Sequence, residues 1–80
     1  MVPNQRNRDL EIAKAFGARV RELRMEAGLT QERLAEAAGL HPTFISNVER
    51  GYRVPSVPTM LRLAVALAVA PSDLVDKLTA

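Results

Sequence analysis

"TQERLAEAAGLHPTFISNVERG", residues 30 to 51, decides how this 80-residue chain folds. Leu34 and Ala38 sit four apart and share one face of a short helix. Ile45 and Val48 sit three apart and pin one side of another. Thr30 is a good N-cap for the first of these helices, Gln31 to Ala38, and Glu32 lies near its positive end. Gly39 stops it, and Leu40 plugs the turn. Pro42 suits the first turn of the next helix, where its missing N–H would have no helical partner. Gly51 closes that helix. Ala35 is small where two closely crossing helices need a small side chain, and Gly39 begins a turn tight enough for a near-perpendicular crossing. The joint spacing specifies a helix pair.

The second helix of the pair has an unusual outer side. It carries Pro42, Thr43, Phe44, Ser46 and Asn47, with Arg50 near the end and no acid before Glu49. A bare phenyl ring among small hydrogen-bonding side chains needs a reason to face solvent.

Outward from the pair, glycine and proline divide the chain into helix-length pieces, and no segment alternates like a strand. The spacing predicts a first helix from about Asp9 to Ala27, with Ile12, Phe16, Val20 and Leu23 as one apolar stripe and Gly28 as the left-handed residue ending it. Ser56 can cap a fourth helix, about Val57 to Leu67, with Pro58 tolerated in its first turn. Pro71 opens a fifth, running to about Leu78. The expected fold is all-α, a compact five-helix domain over residues 9–80 with residues 1–8 as a flexible N-terminal arm. No internal repeat is present.

Composition narrows the function classes. Cysteine is absent, so neither a disulfide nor a thiolate metal site supplements the small core. The longest apolar run, "LAVALAVA", is too short to cross a bilayer, and the start "MVPNQRNRDLE" is too polar for a secretory signal. The expectation is a cytoplasmic protein without a membrane partner. A formal charge of +2 permits a polyanionic partner without demanding one. Arginine outnumbers lysine nine to two, and most arginines precede residue 54. With one histidine, no glycine-rich phosphate loop and no clustered carboxylates, the chain has nothing with which to assemble acid–base or metal chemistry. We therefore expect no enzyme, no metal, no cofactor and no small-molecule ligand.

The segments "LTQERLAEAAGL" and "ISNVERG" resemble the helix-turn-helix of the lambda-repressor-like family, the Cro/CI or XRE type. The resemblance covers roughly residues 12 to 78, because "VRELRMEAGLT" looks like the family's first helix and "PSVPTMLRLAVALAV" its fourth. Within the family, "PTFISNVERGYRVPS" is similar to small controller proteins of restriction–modification systems. In such a fold the third helix lies in the major groove of double-stranded DNA, its N-terminal residues facing base edges. This answers the question of the outer face. Thr43, Phe44, Ser46 and Asn47 are the expected base readers: Asn47 can pair bidentately with adenine, and Phe44 or the Thr43 methyl can pack on a thymine methyl. Acids are missing because phosphates flank the groove. Expected phosphate contacts are Thr30 and Gln31 at the second helix N-terminus, His41, and Arg50, Arg53 and Ser56 around the following loop. Arg50 could instead reach a base. Family resemblance also implies that Gln31 braces the recognition helix, and that Arg24 pairs with Glu49 as a structural ion pair.

The fourth helix is apolar almost all round, more than the roughly 100° stripe that a one-sided packing needs. Met60, Leu63 and Leu67, with Leu74, Val75 and Leu78 of the fifth helix, are expected at a homodimer interface. A C2 dimer sets two recognition helices one DNA turn apart and calls for a palindromic operator. The chain departs from its family at "LAVAPSD", where relatives often place glycine near Ala68 and a polar cap near Ala70. The expected function is a sequence-specific, cytoplasmic, nucleoid-associated regulator of transcription, a repressor or a restriction–modification controller. The rival is a protein-binding helix-turn-helix module, antitoxin-like or coactivator-like. An exposed third-helix face that is small, polar and acid-free argues against it.

Overall fold

The computed structural model describes residues 5–76 and 78. These form an all-α fold of five helices: α1 (Gln5–Glu26), α2 (Gln31–Ala38), α3 (Pro42–Glu49), α4 (Val57–Leu67) and α5 (Pro71–Val75). α1 is the long spine, and α3 packs on both α1 and α2. α4 closes the other side of α2, and α5 returns to α1. The core is formed by Phe16, Val20, Leu34, Ile45, Val48, Leu63 and Leu74, all fully buried. Each helix contributes at least one of these, so the fold is a single apolar cluster with no layer to spare.

Local chemistry sets the boundaries. Thr30 caps α2 by accepting the Arg33 N–H at 3.0 Å. Gly39 takes a left-handed φ of 69°, and Leu40 N–H returns to the Ala35 carbonyl at 2.8 Å, which closes the turn of the helix pair. Ser56 caps α4 through the Thr59 N–H, with Pro58 in the first turn as expected. Two glycines lie where backbones nearly touch. A Cβ on Gly17 would meet the Val48 carbonyl oxygen at 2.2 Å, and one on Gly51 would meet Lys14 Cα at 2.9 Å. α1 therefore lies directly against the end of α3 and the loop after it.

Four expectations about elements change. α1 begins at Gln5, so residues 5–8 are helical and not an arm; residues 1–4 lie outside the described residues. "QRNRDLE" lacks an apolar face, but its residues are mostly adequate helix formers and simply extend α1 by a turn. Ile12 is 44% exposed, and Ala13 takes the buried place in the stripe with Phe16, Val20 and Leu23. Lys14, the next residue, meets the loop at Gly51, so this side of α1 is the one turned toward the rest of the fold. α5 stops at Val75 rather than near Leu78. The Asp73 carbonyl, which a further helical turn would use, instead accepts Arg19 Nε at 2.8 Å, and Asp76 has an extended backbone. Finally, Leu63, Leu67 and Leu74 are core residues and not a dimer surface, with exposures of 0%, 4% and 0%. On so short a chain the core takes the aliphatics that appear surplus to a single stripe.

The corner at Ala68 is left-handed, with φ of 58°, the only non-glycine residue with positive φ among the described residues. α4 thus ends where a glycine would be easier, and the chain bears the strain. Ala70 offers no side-chain cap, but its N–H donates to the Asp73 carboxylate at 3.0 Å. That contact, with Arg19, fixes α5.

Candidate nucleic-acid interface

α3 is held from beneath by a part-buried polar joint. Arg24 donates to the two Glu49 carboxylate oxygens, through Nε at 2.6 Å and Nη2 at 3.1 Å. Its remaining nitrogen donates to the Leu29 carbonyl at 2.8 Å. Gln31 adds a 3.0 Å hydrogen bond to Glu49. One carboxylate thereby ties α1, the loop after it and the start of α2 to the end of α3. The Glu49 side chain keeps 4% of its exposure and Arg24 13%. Hydrogen bonding to Glu49 raises the Arg24 guanidinium above its ordinary pKa despite burial, so it stays charged.

With Glu49 turned inward, the outer face of α3 is free of acids. Thr43, Ser46, Asn47 and Arg50 follow at helical spacings and share that face. Thr43 is exposed, Ser46 and Asn47 are half-buried, and Arg50 is exposed. His41 is the N-cap of α3: its Nδ1 accepts the Thr43 N–H at 3.0 Å. Arg50 reaches back to Asn47, donating to Oδ1 at 3.1 Å, and stacks 5.0 Å from the Tyr52 ring centroid.

Phe44 is not the bare ring that the sequence suggests. It is half-buried against the core, and the Arg53 guanidinium lies over its ring, 5.6 Å from the centroid. A phenyl ring at the edge of so small a core gains more from packing and a covering cation than from full exposure. Ser56 is engaged as the α4 cap and is exposed beside Arg53 and Val54.

A cleft of about 300 Å³ opens between α1, the start of α2 and α3, lined by Arg21, Arg24, Gln31, Ser46, Glu49 and Arg50. Arg21 is exposed on α1 and brings a cation to the flank of α3 that the sequence reading did not assign. Its signal was available, one helical turn before Arg24 on the same side of α1. Tyr52 was also missed, and nothing in the sequence marks it as the platform for Arg50. Of the expected dimer residues only Val75 is well exposed, while Met60 and Leu78 pack partly against the core. Among the described residues there is no cluster of metal-ligating side chains, and no helix is long and apolar enough to cross a membrane.

A family model described as a helix-turn-helix domain matches residues 15–78. The chain belongs to the helix-turn-helix domain family. The match takes in all of α2, α3, α4 and α5 and the second half of α1, so the helix-turn-helix sits here with most of its supporting scaffold. The chain is similar to the control protein C.BamHI of Bacillus amyloliquefaciens, with 42% identity over 66 residues, covering 81% of this chain and 82% of that protein. It is similar to an uncharacterised helix-turn-helix-type transcriptional regulator, y4dJ, of Sinorhizobium fredii, with 39% identity over 82% of this chain and 86% of that one. Among solved structures it resembles the restriction–modification controller protein C.AhdI of Aeromonas hydrophila, with a TM-score of 0.74 and 46% identity over 79% of this chain and 94% of that one. These helix-turn-helix relatives are named as control proteins and regulators, not as enzymes.

Proposed function

We infer that this chain is a sequence-specific DNA-binding regulator of transcription that places α3 in the major groove. The observation that carries this reading is the acid-free face of Thr43, Ser46, Asn47 and Arg50, held rigid by the Arg24–Glu49–Gln31 joint behind it. Preorganised small polar side chains on a braced helix suit base edges, which demand fixed donor and acceptor positions. Arg21, Arg53 and the N-terminus of α2 lie around that face, where phosphates of the two strands would pass. Such contacts set register and affinity.

The chain acts as a C2 homodimer on a palindromic operator. Val57, Leu61 and Val65, four residues apart on α4, are 67%, 46% and 80% exposed, and Val75 on α5 is 43% exposed. The three α4 residues form one exposed aliphatic stripe, and such side chains left in water on so small a domain favour a self-complementary contact. The likeness to control proteins supports control of restriction–modification genes as the regulatory role. Selection of bound sites from random duplex DNA at stated salt tests the whole reading. It should enrich two inverted half-sites centred about 10 base pairs apart or a multiple of that. Enrichment of a single unrepeated site would contradict the dimer, and no enrichment would contradict DNA reading.

A further inference from the structure

The arginines of this fold are held in two different ways. Arg19 and Arg24, which tie helices together, spend their N–H groups on Glu22 and Glu49 and on the Asp73 and Leu29 carbonyls. Arg53, in the loop after α3, has no side-chain hydrogen bond or ion pair among the described residues. Its guanidinium lies instead over the Phe44 ring, 5.6 Å from the centroid. Both partners are placed by the backbone. Phe44 packs against the core from the first turn of α3 and is half-buried. The loop is fixed on either side of Arg53: Gly51 N–H returns to the Val48 carbonyl at 3.0 Å and Tyr52 N–H to the Asn47 carbonyl at 2.8 Å, while Pro55 is buried.

The choice of partner has a chemical consequence. A carboxylate would hold the guanidinium by occupying its N–H groups, and would repel a phosphate approaching the same place. An aromatic face holds it through the ring quadrupole and leaves all five N–H groups for another acceptor. A guanidinium aimed in this way suits a phosphate, which takes two parallel N–H donors. We propose that Phe44 is a positioning residue for Arg53, its ring presenting the guanidinium with its donors free to one backbone phosphate of each half-site. Phe44 then acts on affinity and register through Arg53, in place of the thymine contact expected of it from the sequence. The inference rests on the DNA-binding reading above.

The test is equilibrium binding of the full chain to a selected duplex and its single-base variants over a series of salt concentrations, with circular dichroism to establish that each variant is folded. Arg53→Ala should weaken every duplex alike and lower the salt slope by about one. Phe44→Leu keeps apolar bulk at the edge of the core but removes the ring face. It should weaken every duplex by about two- to fivefold, the scale of an exposed cation–π contact, and move the salt slope toward that of Arg53→Ala. In an Arg53→Ala background, Phe44→Leu should have no further effect on binding. Phe44→Tyr keeps the ring and should keep both affinity and slope. If Phe44→Leu does not fold, Phe44→Met takes its place with the same expectations. A loss confined to one base pair would make Phe44 a base reader. An equal loss with or without Arg53 would make its role that of a helix support. Either result, or wild-type binding by Phe44→Leu or by Arg53→Ala, would overturn this inference alone. Failure of the wild-type protein to bind any duplex would overturn the DNA-binding reading and this one with it.

Discussion

Glu49 ends the recognition helix with a carboxylate that almost no water reaches, and its two oxygens receive three hydrogen bonds from Arg24 and Gln31. Removing one member of a fully buried pair costs about 3–5 kcal/mol because the other's charge is left uncompensated, and this pair is part-buried. Arg24 retains some solvent, so the loss for Glu49→Ala should lie toward the lower end of that range. The same substitution releases α3, so thermal midpoint and DNA affinity should fall together. A Glu49→Ala protein that melts like the wild type would show that the joint does not hold the helix. At this scale the sequence was partly legible. Family resemblance placed the Arg24–Glu49 pair and the bracing role of Gln31. Which way Asn47 turns its amide, and what covers Phe44, depends on the C-cap of α3 and the loop after it. There Arg50, Tyr52 and Arg53 fold back over α3, and no periodicity encodes that return.

Among the elements, α2 and α3 match their expected limits because each is bounded by residues with strong local reasons, Thr30 and Gly39 for one, Pro42 and Gly51 for the other. The ends of α1 and α5 were misjudged, at Gln5 because helix propensity extends α1 beyond its apolar stripe and at Asp76 because the contact of Arg19 with the Asp73 carbonyl stops α5. Gly17 was invisible as a contact because a glycine inside a helical stripe looks merely neutral. Its role is the crossing of α1 and α3, and Gly17→Ala would press a methyl group onto the Val48 carbonyl oxygen at 2.2 Å. Overpacking of this kind costs about 1–3 kcal/mol, and here it pushes the recognition helix outward. We expect a lower thermal midpoint and weaker DNA binding for that variant; unaltered binding would mean that the crossing tolerates movement. The left-handed Ala68 offers the opposite sign. Ala68→Gly removes the strain and should stabilise the protein by about 1 kcal/mol in urea unfolding, without affecting DNA binding. A loss of stability would show that the corner is not strained.

For the whole molecule, the division of aliphatic side chains between core and surface carries the dimer proposal. Composition and the near-continuous apolar character of α4 revealed an excess but not its allocation, and Leu63, Leu67 and Leu74 go to the core. The surface share of α4 and α5 includes Val57, Leu61, Val65 and Val75. Two substitutions separate the roles. Leu63→Ala should cost about 2–5 kcal/mol of folding stability, as core truncations do. Leu61→Glu should leave the helical content intact while shifting sedimentation toward the monomer and weakening operator binding. Dimers that persist in Leu61→Glu at micromolar concentration would remove this part of α4 from the interface. The account as a whole turns on the outer face of α3 reading bases. Its most direct measurement is the affinity of wild type, Thr43→Ala and Asn47→Ala for every single-base variant of the selected operator at one salt concentration. We predict that each substitution loses about 1–3 kcal/mol of discrimination at one or two base pairs per half-site and almost none elsewhere. A uniform loss across all variants, or no loss, would contradict it.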